Sequence, residues 1–117
     1  MEVLEMEELD SVFWIKTDGV FYGKPIEEIV YFKSMWSWVK MVALNEEISF
    51  WESLAQVQKR VEKQSQHFIR VSRRYYINVC YVKDYTSKEI RMVDDTVIPL
   101  TRKNMENLRK KVHENNE

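Results

Sequence analysis

Apolar and polar residues alternate in short runs along most of this chain, and turn-forming residues separate the runs. That is the signature of half-buried β-strands rather than helices. Residues 12–17 and 20–23 flank Asp18-Gly19, a pair that favours a two-residue hairpin turn. Pro25 is expected to break the second arm, and residues 29–32 resume an apolar strand. Residues 36–44 read as one long strand, apolar on both faces. Asn45-Glu46-Glu47 turns the chain into a short strand at 48–51.

The period then changes. Ser53 and Gln56 have capping-box spacing, and Leu54, Val57 and Val61 recur at three and four residues, which predicts an amphipathic helix over 54–64. Residues 68–71, 75–82, 89–93 and 96–100 return to strand character, with Asp94-Asp95 as the turn of the last hairpin. Thr101 is placed to cap a terminal helix whose inner face carries Met105, Leu108 and Val112. The expected architecture is mainly β: eight or nine short strands, one central helix and a short C-terminal helix.

Composition narrows the picture. A chain of 117 residues fits one domain, here 11–114, between an acidic leader (1–10) expected to be disordered and a frayed end (115–117). The hydrophobic fraction of 44% supports a core despite 32% charged residues. With two glycines and two prolines there is no flexible linker, and no internal repeat is visible. The single cysteine, Cys80, excludes an internal disulfide and fits a reducing compartment. No apolar run reaches the length of a membrane span, and the acidic start is unlike a signal peptide, so a cytoplasmic location is expected.

The net charge of −1 argues against a polyanionic partner, but its distribution does not. Residues 1–10 hold five acids and no base, so 14 acids face 18 bases in the remainder. Arg70, Arg73 and Arg74 fall within five residues, flanked by apparent β-structure. Guanidinium forks on a rigid scaffold can meet phosphate oxygens and base edges together. Ordinary solvated cations are the bland alternative for the basic residues generally, and the arginine cluster stands out from it.

Three segments carry a resemblance. They are Glu28-Ile29-Val30-Tyr31-Phe32-Lys33-Ser34 with Trp38-Val39-Lys40-Met41; Phe68 through Asn78, centred on Arg70-Val71-Ser72-Arg73-Arg74; and Ile98-Pro99-Leu100-Thr101-Arg102. In order and spacing, residues 26–112 resemble the LytTR family of bacterial DNA-binding domains, which usually end two-component response regulators. The resemblance implies an elongated set of small antiparallel sheets whose loops enter successive major grooves. It also implies a homodimer on direct repeats of double-stranded DNA. Carried over by position, the contacts are Trp36, Ser37, Trp38 and Lys40 in the first loop, Arg70, Ser72, Arg73 and Arg74 in the second, and Arg102 and Lys103 at the last helix. Arginines would read bases and lysines such as Lys40, Lys83 and Lys103 would hold phosphates. The chain departs from the family pattern at Ser72, where histidine is frequent, and at Arg74, where serine is frequent. It departs again at Trp36-Ser37, where a Gly-Asn pair is common, so the first loop should be stiffer and more apolar. A phosphoacceptor receiver domain does not fit, so the chain is either a stand-alone regulator or an excised C-terminal piece.

Other readings stay open beside this one. Arg70 is equally readable as the partner of a carboxylate at the sheet edge. Asn78 reads as a turn or capping residue. Phe13, Phe32, Phe50, Phe68, Tyr76 and Tyr81 are spaced as core. Trp36 and Trp38 share one face of their expected strand, with core as the first reading and a dimer patch or base stacking as alternatives. Cys80 reads as a buried small hydrophobe. The acidic pairs Glu27/Glu28, Glu46/Glu47 and Asp94/Asp95 are adjacent in sequence and would point to opposite faces of a strand. His67 and His113 lack partners at metal-ligand spacing. Neither an enzyme, a cofactor nor a small-molecule substrate is expected. Two alternatives to a duplex-binding regulator remain. One is a protein-interaction module using Trp14, Trp36 and Trp38 on a membrane-bound or receiver-domain regulator. The other is a single-stranded nucleic-acid binder using stacked aromatics.

Overall fold

The computed structural model describes residues 11–115. The acidic stretch 1–10, and residues 116–117 of the expected frayed end, lie outside the described residues. Among the described residues, ten strands fall into three antiparallel sheets. β1 (Val12–Thr17) and β2 (Val20–Pro25) form a hairpin closed by Asp18 and Gly19, both at positive φ as such a turn requires. The pairing runs through Pro25 opposite Val12, one step beyond where the proline was expected to break it. Gly23 is needed for space, because a Cβ there would sit 2.8 Å from the Trp14 indole.

The central sheet has the order β5-β4-β3-β7-β6, from β3 (Ile29–Met35), β4 (Trp38–Ala43), β5 (Glu47–Phe50), β6 (Phe68–Arg70) and β7 (Tyr75–Asn78). Both of its faces are covered. On one, Phe32, Val39, Met41, Phe50, Phe68 and Tyr76 meet Phe13 and Ile15 of the hairpin and Leu54, Val57 and Val61 of helix α1 (Leu54–Glu62). Phe13 and Phe32 pack edge to face at 5.2 Å, a geometry worth about 0.5–1.5 kcal/mol beyond burial. Arg60 ties helix to hairpin: it grips Glu52 through Nε and Nη2 at 3.0 and 2.9 Å, donates to the Trp14 carbonyl at 2.8 Å, and lies over the Phe13 ring. Ser53 caps α1 by accepting from the Gln56 amide, as the spacing predicts.

The other face carries Tyr31, Val42 and Ile77. It is covered by Ile90, Met92 and Ile98 of a small sheet, β8 (Val82–Tyr85), β9 (Glu89–Met92) and β10 (Val97–Pro99), and by Leu108 of helix α2 (Arg102–Asn115). The expected strand 75–82 is really two. Asn78 is buried and donates to the Ile29 carbonyl at 3.0 Å. Its side-chain oxygen accepts from the Cys80 amide, winding residues 79–81 into a single 3-10 turn. This confirms Asn78 as a cap and corrects Cys80, which the turn rotates out to solvent. It leaves Tyr81 half-buried rather than core. Burial, and secondarily the Glu62 charge, raises the Tyr76 hydroxyl well above the ordinary phenol range.

A further correction concerns residues 36–44. The strand begins only at Trp38, and Trp36-Ser37 form the two-residue turn between β3 and β4. Trp36 sits at φ 61° and is 95% exposed, so it is not core. A left-handed conformation costs an L-residue about 1–2 kcal/mol, which is why Gly or Asn usually fills such positions. Trp38 does lie on the sheet, half-buried opposite Met35.

Candidate nucleic-acid interface

Antiparallel pairing of β3 with β7 places Lys33 opposite Tyr75, so the Trp36-Ser37 turn and the loop 71–74 emerge at the same end of the central sheet. The two are joined directly, because the Ser34 amide donates to the Arg74 carbonyl at 2.7 Å. The N-terminus of α2 reaches the same loop from below, with Asn104 Nδ2 donating to the Val71 carbonyl at 2.7 Å. Thr101 caps that helix by accepting from the Asn104 amide at 3.2 Å. Three chain segments, 67 residues apart at their extremes in sequence (Ser34 to Thr101), therefore share one end of the molecule.

The loop is braced from inside. Ser72 Oγ accepts from the amides of Arg74 and Tyr75, both at 3.2 Å. Arg70 Nε donates to the Ser72 carbonyl and Nη2 to the Arg73 carbonyl, both at 2.8 Å, while Nη1 lies 3.4 Å from Gln58 Oε1 of α1. Burial lowers the Arg70 guanidinium from its ordinary range. Arg70 holds backbone oxygens in place of the carboxylate considered from the sequence. Ser72 and Arg70 thus shape the loop that carries Arg73 and Arg74.

Four cations project from this frame. Arg73, Arg74, Arg102 and Lys103 are exposed, and among the described residues their charged groups have no hydrogen-bond or ion-pair partner. Lys33 is half-buried with its ammonium 5.5 Å from the centre of the Tyr75 ring. A cleft of about 270 Å³ lies between turn and loop, lined by Lys33, Ser34, Met35, Trp36, Arg73 and Arg74. Lys40 lies directly across the β3–β4 ladder from Lys33 and 3.8 Å from Glu47, and Lys83 is 3.1 Å from Asp95. Exposed pairs of this kind are weak and either lysine can exchange partners.

The opposite end of the same strands has the opposite character. A larger cleft of about 810 Å³ there is lined by three acids, Glu27, Glu28 and Glu62, against one lysine, Lys63. Its acids disfavour a polyanion, so the charge is polarised along the sheet. Sequence reasoning missed Asn104, which fixes α2 to the loop; its partner is 33 residues away and no local pattern marks it. Among the described residues, no helix is long and apolar enough to cross a membrane.

Comparison with known proteins gives the same direction. The family profile described as the LytTr DNA-binding domain matches residues 21–113. A solved chain described as the LytTr DNA-binding domain of a methyl-accepting/DNA response regulator from Bacillus cereus superposes with a TM-score of 0.68. It shares 22% identity, over 87% of this chain and 96% of that one, which speaks for the fold. A search of curated proteins returns no match.

Proposed function

The chain belongs to the LytTr DNA-binding domain family, and from that premise we propose that it is a sequence-specific, double-stranded-DNA-binding transcriptional regulator. The observation that carries the reading is the set of four unpartnered cations that the 71–74 loop and the start of α2 deliver to one braced end of the sheet, beside the Trp36-Ser37 turn. Arg73 and Arg102 read base edges, where a guanidinium fork on guanine O6 and N7 discriminates by about 1–3 kcal/mol. Arg74 and Lys103 hold phosphates and set register. The Trp36-Ser37 turn enters the groove beside them, with Trp38 as its footing. Arg70 and Ser72 act by positioning. The regulator works in the cytoplasm and binds paired direct repeats as a homodimer, with input from a receiver-domain or membrane-bound regulator.

Selection from random duplex and single-stranded pools, followed by salt-dependent gel shifts, tests this. Enrichment of one duplex motif supports the reading. Equal retention of any single strand would replace it with stacking on aromatics, and no retention at low salt would refute nucleic-acid binding. The last outcome favours a protein-interaction module, for which Trp14 and Phe21, exposed on the first hairpin, are the available surface.

A further inference from the structure

Trp36 is the most exposed large apolar side chain among the described residues, and it stands on the tip of a two-residue turn at φ 61°. Local preference opposes it there, since Asn or Gly would fill the position without strain and without exposing an indole. Nor does the fold use it: Phe32, Val39 and Met41 of the same hairpin complete the core while Trp36 contributes almost nothing to it. Its surroundings restrict what it can meet. Lys33, Arg73 and Arg74 line the cleft at its base, so a partner seated on Trp36 must be polyanionic. The same partner must offer a flat apolar surface to the indole. A base step framed by its phosphates meets both conditions at once.

We propose that Trp36 is a wedge that enters partway between two adjacent base pairs when this end of the molecule docks, unstacking one step and kinking the duplex. The inference rests on the duplex-binding reading above and adds a second source of specificity to it. Pyrimidine–purine steps open most easily, so the target carries such a step beneath the turn. Rigidity matters for a wedge, and the turn has it. The Ser34 amide is clamped to the Arg74 carbonyl at 2.7 Å, so the backbone leading into the turn cannot shift without moving the arginine loop.

The test uses the duplex that the wild-type chain selects, with 2-aminopurine placed at each position in turn. Wild type raises the fluorescence at one step. Trp36→Asn, which suits the turn, stays folded with a melting temperature no lower than that of wild type, yet at saturating protein it abolishes the rise. Its affinity for the selected site falls by about tenfold or more, the size expected from losing one base–aromatic stack. Silence of 2-aminopurine at every position with wild type fully bound, or an equal signal from Trp36→Asn, overturns the wedge and leaves duplex recognition standing. Failure of wild type to select any duplex removes the binding reading and the wedge with it.

Discussion

Truncating Arg70 separates positioning from contact more cleanly than any other change in the molecule. Its guanidinium makes two 2.8 Å bonds to the carbonyls of Ser72 and Arg73 and a longer one to Gln58. Hydrogen bonds to a charged partner contribute about 1.5–3 kcal/mol each when buried. The group is half-buried and water can replace part of what is lost, so Arg70→Ala should cost about 2 kcal/mol in total. For a domain of this size, that corresponds to a melting temperature lower by about 8 °C. Arg70→Lys, a point donor unable to bridge two carbonyls, should recover about half. The binding consequence is distinctive. Loosening the loop should weaken the selected duplex by about tenfold, while the slope of log K against log salt stays at the wild-type value. A direct phosphate contact would lower that slope by about 0.9. Thermal unfolding and gel shifts at three or more salt concentrations supply both readouts. An unchanged melting temperature together with a reduced slope would refute the bracing role and return Arg70 to the DNA surface.

Other outcomes follow from the same geometry. Arg73→Ala should unfold at the wild-type temperature and lose about 1–3 kcal/mol of discrimination at one base position, measured against a panel of single-base variants of the selected site; an unaltered preference would sink its reading role. Lys103→Ala should weaken all duplexes alike and reduce the salt slope by about 0.9, in contrast to Arg70→Ala. Asn78→Ala strands the buried Ile29 carbonyl and the Cys80 amide, and denaturant unfolding should show a loss of about 2–3 kcal/mol; a loss below 0.5 kcal/mol would mean that water satisfies both groups. The Tyr76 hydroxyl ionises more readily in the unfolded chain, so the stability it lends is complete below about pH 10 and falls as pH rises toward its elevated folded value. Urea midpoints at pH 9 and 11 should therefore converge in Tyr76→Phe relative to wild type, and an equal drop in both proteins would contradict this.

The parts of the fold legible in the sequence are those set by local period and turn chemistry. Asp18-Gly19, the Ser53 cap, the 3.6-residue spacing of Leu54, Val57 and Val61, and the Thr101 cap all act within a few residues, and all stand where that spacing puts them. The errors came where a single side chain overrides a favourable run. Residues 75–82 look like one strand because Val79, Tyr81 and Val82 have β propensity, but Asn78 breaks the run by bonding the Cys80 amide, creating β8 and exposing Cys80. Residues 36–44 look like one strand by hydrophobic pattern because neither Trp36 nor Ser37 is a strong turn former, whereas the family resemblance places the first loop at the turn that forms. An indole at positive φ is the kind of local inconsistency that sequence patterns miss and that functional sites tolerate.

The candidate site was legible as a cluster and illegible as an assembly. Three arginines in five residues are visible in any reading, whereas their division of labour depends on register. Arg70 ends β6 and turns back to the loop carbonyls, while Arg73 and Arg74 ride on the loop itself. The nearness of Arg102 depends on the bond from Asn104 to Val71, which no spacing along the chain reveals.

The central claim is that one end of the central sheet, and not the other, meets the duplex. Titration of isotope-labelled protein with the selected duplex, followed by amide and indole resonances, measures it directly. Shifts should concentrate at residues 33–37, 71–75 and 101–104, including the Trp36 indole, with little change around Glu27 and Cys80. Shifts centred on that acidic end, with the arginine loop silent, would contradict it.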